Sequence, residues 1–296
     1  PNHHFRRLSL EMRQAFGLVA KPDAERLRIM DNVGVEDVRN HYQLTHFSPN
    51  MRFVIAGQLP PERREHIINL LEQVDLPTEG KRFELPHELP VGLKKPIYVA
   101  NDTVENLYFY IDTFTKQRLT DAESDALNLA NVLLTETLYS RILGTARERG
   151  LVYGMNSGVS QTRGSSNWWF GAQVSDKNIE PLLGIIRHEL ERLMNGDISP
   201  ADLTTIKQYA LGRHQRGAQR AADTADAYAQ RYFFDGVIEN YYQVPERIEA
   251  VTKDQIVAVC RAMFKDAVWG FGVLGSCGSD YAAKLQQQLA PLWEGK

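Results

Sequence analysis

The residue types that carry chemistry are few in this chain, and their spacing excludes more than it includes. There are eight histidines: His3, His4, His41, His46, His66, His87, His188 and His214. The run closest to a metal-ligating pattern on one helix is His188-Glu189-Leu190-Glu191-Arg192. Residues four apart share a helix face, but the far position is Arg192, whose guanidinium stays protonated and offers no lone pair to a metal. The run reads as a solvated polar face, with Ile185, Leu190 and Leu193 turned inward. His3-His4 reads as a surface pair, and His41 and His46 as structural residues flanking a helix end. Cys260 and Cys277 stand on separate elements without C-x-x-C spacing and read as small buried hydrophobes. The sequence has no Gly-x-Ser-x-Gly elbow and no Gly-x-x-x-x-Gly-Lys-Ser/Thr phosphate loop, and Gly270-Phe271-Gly272-Val273-Leu274-Gly275 has Gly-x-Gly-x-x-Gly spacing inside an expected strand, not at a strand-to-helix turn.

Groups suited to binding are more numerous. Two strands flank Gly164-Ser165-Ser166, about 151–159 and 168–174, and are expected to pair as a hairpin. One arm carries Asn156, Ser157, Ser160 and Gln161, the other Asn167, Trp168, Trp169 and Phe170. An exposed polar edge strand can receive an extended peptide by strand addition, whereas the tryptophan pair reads as core. Arg213, His214, Arg216, Arg220 and Arg231 form a basic run on one long helix. It reads as a solvated face, or as the lining of a chamber for acidic peptides.

The elements that must position these groups are readable from periodicity. Val35–Tyr42 is a short amphipathic helix, and Ser48-Pro49-Asn50 a turn. Met51–Ala56 is expected to be a strand ended by Gly57, and Pro60-Pro61 opens a helix with Ile67, Ile68, Leu70, Leu71 and Val74 as its apolar stripe. Four prolines and two glycines between Pro77 and Pro96 mark an interdomain linker. Strands are expected at 97–100 and 107–114. The capping box Thr120-Asp121-Ala122-Glu123 opens a helix reaching Gly150. Helices follow from Ile179 to Met194, from Pro200 to about Phe234 and from the Thr252–Gln255 box. A strand at 268–274, where Gly270-Phe271-Gly272 suggests close backbone packing, and a last helix from Ser279 complete the chain. Strands and helices do not alternate one by one, which argues for an α+β fold, a largely antiparallel sheet with helices on one face.

The 296 residues suffice for about two domains, and 43% hydrophobic with 24% charged residues is ordinary for a soluble globular chain. A net charge of −3 gives no reason to expect nucleic acid or an anionic membrane as partner. No apolar run approaches the roughly 20 residues needed for membrane insertion. The start, Pro1 to Arg7, lacks both an initiator Met and an apolar signal-type segment, so the chain is expected to have been processed or cut from something longer.

Three stretches in order resemble the pitrilysin/insulinase metallopeptidase family, which includes the mitochondrial processing peptidases. Val35-Glu36-Asp37-Val38, followed by Ser48-Pro49-Asn50-Met51 and Arg52–Gly57, is similar to the late part of the family's first domain. Leu138–Leu143, followed by Arg147-Glu148-Arg149-Gly150-Leu151-Val152-Tyr153, is similar to its second-domain signature. Ile248–Ile256 resembles the lead-in to its last helical pair. The resemblance implies duplicated α+β units enclosing a peptide chamber. Residues 1–85 would be the second half of a first, zinc-type unit without its metal motif, and 86–296 one complete, non-catalytic unit that binds substrate. Family catalysis needs His-x-x-Glu-His and a distal glutamate, and no histidine here stands in that pattern. The chain by itself is therefore expected to be non-catalytic and without cofactor, with zinc in a preceding part or a partner chain. The resemblance also assigns substrate-side roles to Tyr153 and to an arginine seven residues earlier. That place is Ala146, which leaves Arg147 and Arg149 as neighbouring candidates.

Two readings of function follow. In the first, the chain completes the peptide-binding chamber of a zinc metallopeptidase. In the second, it is a catalytically dead paralogue serving as a binding or scaffold subunit. The expected partners are a peptide or unfolded polypeptide and, as a homo- or heterodimer, a zinc-bearing subunit.

Overall fold

The computed structural model describes residues 3–82, 84, 86–265 and 267–294. In chain order its helices are α1 (His4–Ala15), α2 (Asp23–Met30), α3 (Val35–Thr45), α4 (Pro61–Glu72), α5 (Asp121–Asn131), α6 (Arg141–Glu148), α7 (Asp176–Met194), α8 (Pro200–Gly217), α9 (Ala221–Asp235), α10 (Val244–Ala250), α11 (Lys253–Lys265) and α12 (Ser279–Leu289). The strands are β1 (Ile97–Ala100), β2 (Leu107–Phe114), β3 (Met155–Gln161), β4 (Ser166–Val174) and β5 (Val268–Gly275). Contacts divide the chain into a first unit, Pro1–Arg26 with Pro86–Ala210 and Pro245–Lys296, and a second unit, Leu27–Leu85 with Leu211–Val244. The expected boundary residue Leu85 lies outside the described residues.

In the first unit the five strands form one sheet in the order β1-β5-β2-β4-β3. β1 runs parallel to β5, and the other pairs are antiparallel. The fold is α+β with a largely antiparallel sheet, as the sequence indicated. One face carries Phe109 and Ile111 of β2, Trp168 and Phe170 of β4 and Phe271 and Val273 of β5, all buried. Most helices lie on this side; Ile179, Leu182 and Ile186 of α7 and Ile256, Cys260 and Met263 of α11 fill the layer between. Thr113 Oγ1 donates to the Met263 carbonyl at 2.8 Å, tying β2 to α11.

The opposite face is covered by α1, which the sequence reading missed. Phe5, Leu8, Met12 and Phe16 recur at helical spacing, and the last three are fully buried. They pack with Leu18, Val99, Phe114 and Leu274. Two glycines of β5 make the seat flat enough. A Cβ at Gly272 would collide with Met12 and Leu8, and one at Gly270 would lie 2.6 Å from Leu93 Cγ and 2.8 Å from Phe16 Cζ. The Gly-Phe-Gly run is thus a close-packing device: Phe271 fills one layer while its glycine neighbours admit α1 to the other.

Local signals hold where they are self-contained. Glu123 Oε2 accepts from the Thr120 N–H at 2.8 Å, closing the expected capping box. Gln255 Oε1 does the same for Thr252 at 2.8 Å. The hairpin forms, with bounds shifted to 155–161 and 166–174. The helix expected from Thr120 to Gly150 is instead broken. After α5 the chain makes a π-helical turn, Val132–Glu136, then goes extended at Thr137 before α6. Side chains compete with the helical ladder here: Thr135 Oγ1 donates to the Asn131 carbonyl at 3.0 Å and Ser140 Oγ to the Thr137 carbonyl at 2.6 Å. The helix expected over Pro200–Phe234 is also two, with Ala218–Arg220 between α8 and α9 and Arg220 extended.

The second unit contains no strand among its described residues. The strand expected at Met51–Ala56 is therefore a correction. A strand is stabilised by a neighbouring ladder, and the described residues of this unit offer none. Phe47 is its buried hydrophobic residue, whereas Val35, Val38, Tyr42, Phe53 and Ile55 are exposed.

Two substitutions test the α1 seat. Gly270→Val should lower stability by about 1–3 kcal/mol through overpacking, read as a lower urea midpoint. Asp112 of β2 shares this face and accepts a hydrogen bond from Asn167 Nδ2 at 3.0 Å. Burial pushes its carboxyl from the ordinary 3.8 up to about 6, against the smaller opposing effects of Asn167 and Arg13. A folded acid with a raised pKa binds protons more tightly than the unfolded chain, so its contribution is lost as pH rises through about 6. Asp112→Asn should therefore gain stability relative to the native chain between pH 3.5 and 7.5, by about 3 kcal/mol. Parallel urea melts across that range check the sign.

Candidate functional site

The loop bearing Tyr153 is built by a helix stop. α6 ends at Glu148, and Gly150 follows in the left-handed region, φ 64°. The Gly150 N–H donates to the Arg147 carbonyl and the Leu151 N–H to the Ala146 carbonyl, both at 2.9 Å. This paired closure is the Schellman motif, and glycine takes its left-handed position without a Cβ penalty. Asn178 Nδ2 of α7 then donates to the Leu151 carbonyl at 3.2 Å, pinning the reversed chain. Val152 and Met155 turn inward, leaving Tyr153 between them 90% exposed.

Arg147 joins Tyr153, although α6 does not unwind. Its Nη1 donates to the Tyr153 carbonyl at 2.9 Å, and its guanidinium lies 5.3 Å from the Tyr153 ring centroid. The reversal at Gly150 brings the tyrosine back over the arginine. Arg149 is exposed at the end of α6. Ala146, where the resemblance placed an arginine, is fully buried.

A cleft of about 500 Å³ opens beside this loop. Residues 150–156 form one wall, Gln173, Val174 and Ser175 at the end of β4 another, and Phe5 and Asn106 complete it. Phe5 is fixed edge-on against Tyr108 at 5.0 Å and Tyr110 at 5.6 Å between ring centroids. The helix that covers the sheet thus also supplies a wall of the cleft. β3, which starts in the cleft, is an edge strand paired on one side with β4. Asn156 and Ser160 project on the face of α1, and both are exposed. The tryptophan pair divides between the faces. Trp168 is fully buried and donates through Nε1 to Asn131 Oδ1 at 2.9 Å, while Trp169 lies on the other face, 5.4 Å from Tyr110.

The remaining candidates separate from this site. Glu189 is buried and paired with Arg192 at 3.0 Å, whereas His188 is exposed, so the run is an ion pair on a helix flank, not an open polar face. Among the described residues no group of three or more His, Cys, Asp or Glu side chains could hold a metal. Arg213, His214, Arg216, Arg220 and Arg231 belong to the second unit. There Arg231 pairs with Asp235 at 2.7 Å and His214 stacks on Tyr241. Cys260 is fully buried, as expected of a small hydrophobe. No helix among the described residues is long and apolar enough to cross a membrane.

A family model described as the peptidase M16 inactive domain matches residues 32–209, more than half of the chain. The chain belongs to the peptidase M16 family, the pitrilysin/insulinase type, through its non-catalytic domain. No curated protein sequence matches it. Among solved structures it is similar to an M16-like peptidase from Alicyclobacillus acidocaldarius, with a TM-score of 0.73 and 15% identity over 92% of this chain and 66% of that one. A peptidase M16 inactive domain from Pseudomonas fluorescens gives 0.68 and 16% over 84% and 59%. A chain of Complex III2 from Candida albicans gives 0.70 and 14% over 86% and 63%. These likenesses establish the fold, and the chain spans less than two thirds of each relative's length.

Proposed function

We propose that this chain is the non-catalytic, peptide-holding part of an M16 zinc peptidase, completing a chamber whose metal lies in a preceding part of the same polypeptide or in a partner chain. The observation that carries the reading is the cleft beside Tyr153. It joins an exposed aromatic residue, ordered by Arg147, to the polar edge strand β3. An extended peptide entering there would add to the β3 edge through its main chain, which gives affinity with little demand on sequence. Zinc does not fit the described residues of this chain: its nearest histidine–glutamate run commits Glu189 to Arg192. No catalytic step is assigned to them.

The second unit supports the proposed partner. Its Val35, Val38, Tyr42, Phe53 and Ile55 are exposed hydrophobic side chains that a partner would cover. The zinc-bearing half is the occupant this reading commits to, because the structural relatives carry a further third or more of chain that this one does not span. The likeness to a Complex III2 chain keeps a scaffold role as the alternative. Chelator-sensitive cleavage by the reconstituted pair separates the two readings, since a scaffold would show none.

The peptide reading is tested by fluorescence anisotropy with a labelled, unstructured twelve-residue peptide. Tyr153→Ala should weaken binding about tenfold, as removal of an anchoring aromatic does. The urea midpoint should stay unchanged, because the side chain is 90% exposed. Native affinity in Tyr153→Ala would overturn the assignment.

A further inference from the structure

We propose that the cleft is selective for a neutral, apolar side chain seated against Phe5 and excludes charged ones. The inference rests on the reading of the cleft as a peptide site and adds the chemistry of what it takes. Its lining contains no Asp, Glu, Lys, Arg or His. Phe5, Leu151, Val152 and Met155 supply apolar surface, while Asn106, Asn156 and Gln173 supply neutral amides that can donate to and accept from a peptide main chain. An ionised side chain entering such a lining gives up hydration and finds no counter-charge. An aliphatic or aromatic one gains the burial of its own surface against a ring that two tyrosines hold in place.

The flanking cations are outside the lining: Arg147 donates to the Tyr153 carbonyl and lies over its ring, and Arg149 is exposed at the end of α6. Asp176, one residue beyond the lining Ser175, opens α7 and belongs to that helix's first turn. The basic run that the sequence suggested as a lining for acidic peptides is in the second unit, with Arg220 and Arg231 facing Asp223 and Asp235. Neutral selectivity and acidic selectivity are therefore opposite predictions from different residues.

The test uses the full 296-residue chain and three unstructured twelve-residue peptides, identical except for Leu, Glu or Lys at the centre. The Leu peptide should bind about tenfold more tightly than either charged one. Gln173→Glu, at an exposed position of β4, should then shift the preference toward the Lys peptide, improving its binding relative to the Leu peptide about threefold. Equal binding of all three, lost together in Tyr153→Ala, would overturn the selectivity while leaving the peptide site standing. Tighter binding of the Glu peptide would overturn it in favour of the basic surface. Absence of binding by every peptide would remove the peptide site and the selectivity with it.

Discussion

A sheet buried on both faces needs two apolar layers, and in this chain the second layer is a single helix seated on glycines. α1 contributes only Leu8, Met12 and Phe16 as fully buried anchors, so the approach must be close to exclude water. Gly270 and Gly272 permit it, and Leu93 fills the flank. The same arrangement traps Asp112 beneath the cover, where its charge has lost most of its water. The fold thus carries a polar liability at the centre of its tightest contact, softened by the hydrogen bond from Asn167.

The candidate site inherits its geometry from that contact. Because α1 lies across the sheet, Phe5 reaches the cleft at the start of β3, and because α6 stops at Gly150, Tyr153 swings out beside it. The helix cover and the helix stop, more than a hundred residues apart in the chain, converge on one opening. The second unit contrasts with this. Its described helices leave Val35, Val38, Tyr42 and Leu70 exposed.

What could be read in the sequence was whatever a few neighbouring residues decide among themselves. The Thr120–Glu123 and Thr252–Gln255 boxes are closed by groups three residues apart, and they formed as expected. Ala146, by identity alone, departs from the arginine that the resemblance implies. Met51–Ala56 had the composition of a strand, but strand formation is a property of a pair, and the described residues of the second unit offer no partner strand. The break after Asn131 came from side chains outbidding the helical ladder, which periodicity does not register. The meeting of Arg147 with Tyr153 needed the reversal at Gly150, although the glycine itself was read correctly as a helix stop. α1 was legible after all, in Phe5, Leu8, Met12 and Phe16, but it sits in a stretch dominated by charges that hid the stripe.

The central claim is that an extended peptide docks along β3 beside Tyr153. Hydrogen–deuterium exchange of the full chain, with and without a saturating unstructured peptide, addresses it directly, since strand addition gives the free edge of β3 new hydrogen-bond partners. The account predicts added protection concentrated in residues 150–161 and little change in residues 27–82. Protection confined to residues 211–244, or none in 150–161 at saturation, would contradict it.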